Sequence, residues 1–199
     1  MNISLLLAHP NPESFNHALA EAAAAALRGA GHEVAFHDLQ AEGFDPVMTA
    51  REVREHRSDD PLVERHCDEL RHAGGLVVVH PVWFDQPPAI LKGWIDRVVR
   101  QETAFRRTPD GRVEGLLGVG RALLIHTANM RPRDEASDPL VTFWRTVLDP
   151  CGVTDVRRTL LAPVVTSTHE QRAAWLREVA EQVAAAFPAA DPGAAPRED

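Results

Sequence analysis

Apolar residues fall into two alternating patterns along this chain. Short unbroken runs, such as Leu76-Val77-Val78-Val79 and Ala122-Leu123-Leu124-Ile125, read as strands buried on both sides, because a strand with one wet face alternates apolar with polar. Between these runs lie longer stretches in which apolar side chains recur at helical spacing. The predicted strands are 3–8, 33–37, 75–79, 121–126 and, on a weaker pattern, 154–162; the predicted helices are 16–28, 61–71, 88–99, 140–148 and 170–186. Strand and helix alternating throughout give parallel strands joined by right-handed crossovers. The expected fold is therefore α/β, a five-stranded parallel sheet with helices on both faces.

Local signals sharpen some boundaries. The run Ala22 to Ala26 lets the first helix lie close against the sheet, and Gly29 and Gly31 then end it. The last helix opens on a capping signal, either Thr168 with Gln171 or Ser167 with Glu170. Residues 101–120, with four glycines and a proline, and the polar residues 129–139, with two prolines, follow neither period. Their length marks them as candidate binding loops. Residues 1–187 read as a single domain, and the Pro-, Ala- and charge-rich stretch 188–199 is expected to be disordered.

Composition narrows the partners. A chain of 199 residues suits one sizeable domain, and its net charge of -8 argues against nucleic acid or an anionic membrane as a partner, since both call for a cationic surface. Small molecules or another protein remain. Cys67 and Cys151 show neither CxxC spacing nor a zinc pattern, so they are expected to be buried thiols of a reduced, cytoplasmic protein with no metal site. The apolar run 3–8 is too short to span a bilayer and follows no basic region; it reads as a strand, and no membrane insertion is expected. His17, His32, His37, His56, His66 and His72 stand among charged neighbours and are expected on the solvated surface.

Two loops carry candidate chemistry. The first strand runs through His9-Pro10-Asn11-Pro12-Glu13-Ser14-Phe15-Asn16 into a helix, and a helix amino terminus offers unpaired N–H groups and a positive dipole end to an anion. Ser14 and Asn16 can add side-chain donors, although Ser14 also reads as an ordinary N-cap. The turn fits neither GxGxxG nor GxxxxGK[ST], so neither a dinucleotide fingerprint nor a nucleotide hydrolase is supported. After the third strand, Trp83 and Phe84 stand between prolines and would make a stiff platform for a flat ring, with Asp85 either beside it or facing water. Asp134, Glu135 and Asp138 are expected to be solvated. Trp144 and Trp175 suit the core or a subunit contact, and Asp96 with Arg97 suits a surface ion pair.

Taken together, His9, Ser14-Phe15-Asn16, Pro81-Val82-Trp83-Phe84, Pro88-Ala89-Ile90-Leu91-Lys92-Gly93-Trp94 and Thr127 resemble the flavodoxin-like NAD(P)H:quinone oxidoreductases. That group includes the DT-diaphorases, the bacterial drug-activity modulators and the ancillary flavoproteins of potassium efflux systems. The resemblance covers about residues 1–130 well and is looser beyond. It implies sheet order 2-1-3-4-5 and a flavin at the carboxyl edge; the chain's modest length and its single clear phosphate turn favour FMN over FAD. Ser14, Phe15 and Asn16 would hold the flavin phosphate beside His9. Pro81, Val82, Trp83 and Phe84 would line one side of the ring, with Thr127, Ala128 and Asn129 on the other. The implied activity is ping-pong hydride transfer through flavin N5, from NAD(P)H to a quinone or another flat acceptor, in a homodimer whose sites are completed across subunits. A regulatory flavoprotein of a membrane transporter and a flavodoxin-type electron carrier are the alternatives; the two long loops favour an enclosed pocket over a carrier's exposed flavin edge.

The chain also departs from the family. It has no tyrosine, whereas well-known members place tyrosine and histidine in the acceptor pocket. Phe105 and Arg107 are the counterparts of two pocket tyrosines and join Trp83 as expected substrate-pocket residues, and no catalytic acid is assigned. Ala128-Asn129-Met130-Arg131-Pro132 replaces the family's Gly-rich stretch after the fourth strand.

Overall fold

In the computed structural model, which describes residues 1–132, 134 and 138–189, the elements follow in the order β1 (Asn2–Leu7), α1 (Phe15–Gly29), β2 (Glu33–Asp38), α2 (Ala50–Glu55), α3 (Pro61–His72), β3 (Gly75–Pro81), α4 (Ala89–Val98), β4 (Phe105–Arg107), β5 (Val113–Gly115), β6 (Arg121–Thr127), α5 (Pro139–Leu148), β7 (Val156–Leu161) and α6 (His169–Ala186). The five-stranded sheet is parallel throughout. Its order is β2-β1-β3-β6-β7, which is 2-1-3-4-5 when its own strands are counted along the chain.

Alternation along each strand divides the core into two layers. Leu5, Leu7, Val77, Val79 and Ile125 face α1 and α6, while Leu6, Leu76, Val78, Ala122 and Leu124 face α3, α4 and α5. With both faces covered, the central strands need no polar positions, which explains their unbroken apolar runs. Ala20, Ala23 and Ala24 are fully buried and let α1 settle close to its layer. At the other end of the chain, Thr168 accepts from the Gln171 N–H and fixes the start of α6.

The register matters for function. Leu7 pairs with Val79, Val79 with Ile125, and Pro81 with Thr127, so the central strands end level and deliver their loops to one edge.

Helix α4 anchors a long excursion between β2 and α3. A Cβ on Gly93 would lie 2.3 Å from Pro46 Cβ, so only glycine admits that close approach. Arg97 is buried and donates to Glu52 Oε1 at 2.8 Å and to the Asp45 carbonyl at 2.6 Å. Trp94 Nε1–H donates to His66 Nδ1 at 2.8 Å, while Lys92 pairs with Asp96 on the surface. The expected Asp96–Arg97 pair therefore does not form: the two side chains point to different partners.

Other expectations are also corrected. His32, His37 and His66 are buried and His17 is half-buried, because each finds a polar partner inside the fold. Asp138 is buried as the N-cap of α5 and pairs with Arg158, Asp134 is exposed, and Glu135 lies outside the described residues. Within 101–120, β4 and β5 form an antiparallel hairpin, and α2 occupies a stretch where no helix was expected. From residue 190 onward, the expected disordered stretch lies outside the described residues.

Candidate functional site

At the edge where the strands end level there is a cavity of about 190 Å³. The β1–α1 turn contributes His9, Ser14, Phe15 and Asn16; the end of β3 contributes Pro81, Val82 and Trp83; and the end of β6 contributes Thr127, Ala128 and Asn129. Of the residues expected to hold a cofactor, only Phe84 is absent from this lining. Val164 and Val165, which follow β7, complete the wall. They were not legible in advance, because nothing in their own sequence says that the β7–α6 connection folds back over the edge.

Ser14 caps α1, its hydroxyl accepting from the His17 N–H at 3.3 Å. This cap leaves the N–H groups of Phe15 and Asn16 without intrahelical partners, as at any helix start. The same hydroxyl lies 2.9 Å from His17 Nδ1, and His17 Nε2 lies 2.9 Å from Asp38 Oδ2 at the end of β2. The Asn16 amide does not reach outward. It is buried and exchanges hydrogen bonds with Thr127 Oγ1, at 3.0 Å from Nδ2 and 3.2 Å to Oδ1, bolting the first turn to the end of β6. His9 accepts from the Asn11 N–H at Nδ1, 3.1 Å away. Burial holds its pKa below the ordinary value against the opposing pull of the Asn11 carbonyl, 3.3 Å from Nδ1, and nearby His17 lowers it further.

After β3 the chain makes a tight hairpin turn. Trp83 and Gln86 exchange backbone hydrogen bonds of 3.0 Å, and the central residues Phe84 and Asp85 both have positive φ, 51° and 59°. This is the twist that primed turns require, but glycine or asparagine usually supplies it. Phe84 is fully exposed, whereas Trp83 keeps one side against the cavity with its ring 6.2 Å from that of His9. The N–H groups of Val82 and Trp83 are already bonded, to the carbonyls of Thr127 and Gln86. The expected aromatic pair is thus split, with Trp83 as a wall and Phe84 in solvent. Phe105 and Arg107 line a separate cavity of about 590 Å³ with Val53, Ile95 and Val113.

Directly behind the cavity, in the register pair that precedes Pro81 and Thr127, His80 and His126 are fully buried with ring centroids 4.4 Å apart. His80 Nδ1–H donates to the Pro81 carbonyl at 2.8 Å, and Arg158 Nε–H donates to His126 Nδ1 at 3.1 Å. Burial pushes the His80 pKa down to about 4 and that of His126 well below its ordinary value, the latter aided by the charges of His80 and Arg158.

A second polar cluster lies beneath the excursion. His37, Glu42 and His66 bring ligand-type atoms within 4.8 Å of one another. The Trp94 N–H occupies His66 Nδ1, so the neutral His66 ring keeps its proton on Nε2, which faces Glu42 at 3.1 Å; His37 meets a carboxylate at each ring nitrogen. The cluster is a set of donors gathered around acids. Burial works to raise the Glu42 pKa, but the hydrogen bonds from His37 and His66 override it and hold it at about 2.

Comparison with known proteins places this edge in a wider setting. Residues 1–185 match the family described as having a flavodoxin-like fold. An FMN-dependent NADH:quinone oxidoreductase of Shewanella amazonensis is 31% identical over 170 residues, covering 80% of this chain and 85% of that protein. An uncharacterized NAD(P)H oxidoreductase of Haemophilus influenzae is 32% identical over 121 residues, 59% of each chain. A solved structure from Streptococcus mutans UA159 has a TM-score of 0.81 at 31% identity, covering 92% of this chain and 98% of that one. With a match that runs from β1 into the last turn of α6, the chain belongs to the flavodoxin-like fold family.

Proposed function

We propose that this chain is an FMN-dependent NAD(P)H:quinone oxidoreductase. The observation that carries the reading is the meeting of four loops at one edge of the sheet, with a helix amino terminus and a tryptophan wall both lining their cavity. The relative from Shewanella supports the same cofactor and reaction. The donor chemistry fits FMN: the free N–H groups of Phe15 and Asn16 and the helix dipole suit a phosphate, and Trp83 suits a flat ring. The size also bears on assembly. At about 190 Å³ the cavity is smaller than the roughly 300–1,000 Å³ of typical small-molecule sites, so part of a bound flavin would project beyond it, where a second chain has room to cover it.

When bound, the flavin supplies the capacity to take a hydride from a nicotinamide and pass it to an acceptor. The protein's own residues do the rest. Ser14, Phe15 and Asn16 would hold the phosphate, the Asn16–Thr127 bond keeps the two sides of the cleft at fixed separation, and Val164 closes its far wall. Trp83 orients the ring and any flat partner stacked on it. Residues 1–187 act as one domain in a homodimer, in which Phe105 and Arg107 of a second copy complete the acceptor pocket. The apolar surface around their cavity supports this, since Val53 and Val113 remain 60% and 45% exposed in the single chain. Buried free thiols at Cys67 and Cys151 suit the cytoplasm, and no helix among the described residues is long and apolar enough to cross a membrane.

Purified protein is expected to be yellow and to release FMN identifiable by mass. With NADPH and a benzoquinone, double-reciprocal plots are expected to be parallel. A colourless protein that cannot be loaded with flavin would remove the proposal, and intersecting lines would remove the ping-pong order.

A further inference from the structure

Ser14, His17 and Asp38 form a linked series at the phosphate end of the cleft, from the N-cap of α1 through its first turn to the end of β2. The hydrogen-bond partners determine which atoms hold protons. Asp38 is itself fixed, because its Oδ1 accepts from the N–H groups of Gln40 and Ala41 at 3.1 Å. Its Oδ2 faces His17 Nε2, so that nitrogen carries the proton of a neutral ring and Nδ1 is left as an acceptor. Ser14 must then donate its only hydroxyl proton to His17 Nδ1 while it accepts from the His17 N–H. In this state the cap is satisfied, and the hydroxyl has nothing to donate to an anion.

A second proton on the ring reverses the polarity. Nδ1–H then donates to Ser14 Oγ, and the hydroxyl proton is free to turn toward the cleft. We infer that His17, oriented by Asp38, is a positioning residue that takes up a proton from solvent when a phosphate dianion binds, converting Ser14 from a closed cap into a phosphate donor. Proton balance is simple: one proton enters from water onto Nδ1, none leaves Nε2, and the added positive charge lies between the Asp38 carboxylate and the bound dianion. The inference rests on the proposed function, which places a flavin phosphate at this helix start.

The charged surroundings are few. His9 lies across the turn, with its ring 6.4 Å from that of His17, and its lowered pKa keeps it neutral at the pH of the test. Asp38 favours it from β2. Glu13 and Glu21, on the same stretch of chain, are exposed and weigh little against a fixed carboxylate at 2.9 Å.

The test measures proton uptake by titration calorimetry in buffers of different ionisation enthalpy, at about pH 7.5, where a phosphomonoester with a second pKa of about 6 is already dianionic. Apoprotein binding FMN is expected to take up a large fraction of a proton, and binding of riboflavin, which lacks the phosphate, none. His17→Gln is expected to abolish the uptake and weaken FMN about tenfold, the effect of losing one charge-assisted hydrogen bond. Asp38→Asn, which keeps both the ring and the cap, is expected to reduce uptake as well. His9→Asn is expected to leave it in place, and the ³¹P signal of bound FMN should remain that of a dianion. Uptake that survives His17→Gln, that appears equally with riboflavin, or that is accompanied by a monoanionic phosphate signal would overturn the inference. FMN binding with no linked proton would overturn it while leaving the proposed function standing; a protein that binds no FMN would fail at the earlier step.

Discussion

His80 and His126 stand one layer behind the cleft, fully buried and neutral, each with one ring nitrogen in a hydrogen bond. A histidine whose pKa is lower in the folded chain than in the unfolded one binds its proton more readily after unfolding. Its contribution is therefore whole above the unfolded value of 6.5 and is lost as the pH falls toward the folded value of about 4. At about 1.4 kcal/mol per pH unit, the gap at His80 corresponds to about 3 kcal/mol. Urea unfolding is expected to show stability declining from pH 6.5 downward, above the range from 4.5 to about 2 in which the contribution of Glu42 is lost. His80→Asn keeps a donor for the Pro81 carbonyl, lowers stability at neutral pH and flattens that decline; an unchanged slope would assign it elsewhere. These burials were not legible in the sequence. His37 and His66 stand among charged neighbours just as the exposed His72 does, and only the fold shows that Glu42, Glu69 and Trp94 receive them.

Among the elements, the turn Trp83–Gln86 carries the clearest local conflict. Two L-residues in left-handed conformation cost roughly 1–2 kcal/mol each, and Phe84 recovers none of this through burial, because it is fully exposed. Asp85→Gly should raise stability by about 1 kcal/mol in thermal unfolding; a drop would show that the Asp85 side chain holds the turn. Such strain persists where a surrounding structure or a bound partner uses it. The long elements were legible because burial imposes a pattern on them: β3 and β6 carry the unbroken apolar runs Leu76–Val79 and Ala122–Ile125, and α3 and α5 each follow an Asp-Pro start. β4 and β5 were not, since Arg106, Arg107 and all of β5 are exposed and no alternation is imposed. Helix α2 is held by polar contacts, with Glu52 both closing a capping box on Thr49 and pairing with Arg97. The site was legible as two loops because turn chemistry is local. The hydrogen bonds that turn Asn16 and Ser14 inward depend on Thr127 and His17, and in the first case the partner is 111 residues away.

At the scale of the whole molecule, the proposed homodimer is tested on the face where Val53 and Val113 are exposed beside Phe105. Sedimentation is expected to give twice the chain mass of 21.9 kDa. Val113→Glu should shift it toward the monomer and lower FMN retention together, and a monomeric wild type that keeps its flavin would refute the shared site. The family resemblance rests heavily on the segment from Pro88 to Trp94. Yet within it Lys92 meets Asp96 at the surface, Gly93 makes room for Pro46, and Trp94 donates to His66. These contacts seat the excursion on the scaffold, and none of the three residues lines the cleft. Such a signature certifies a way of assembling the framework, and a descendant could keep it intact after changing or losing its cofactor. Sorting relatives by chemistry would then depend on the less prominent letters at 9–17 and 127–129, where the edge itself is built.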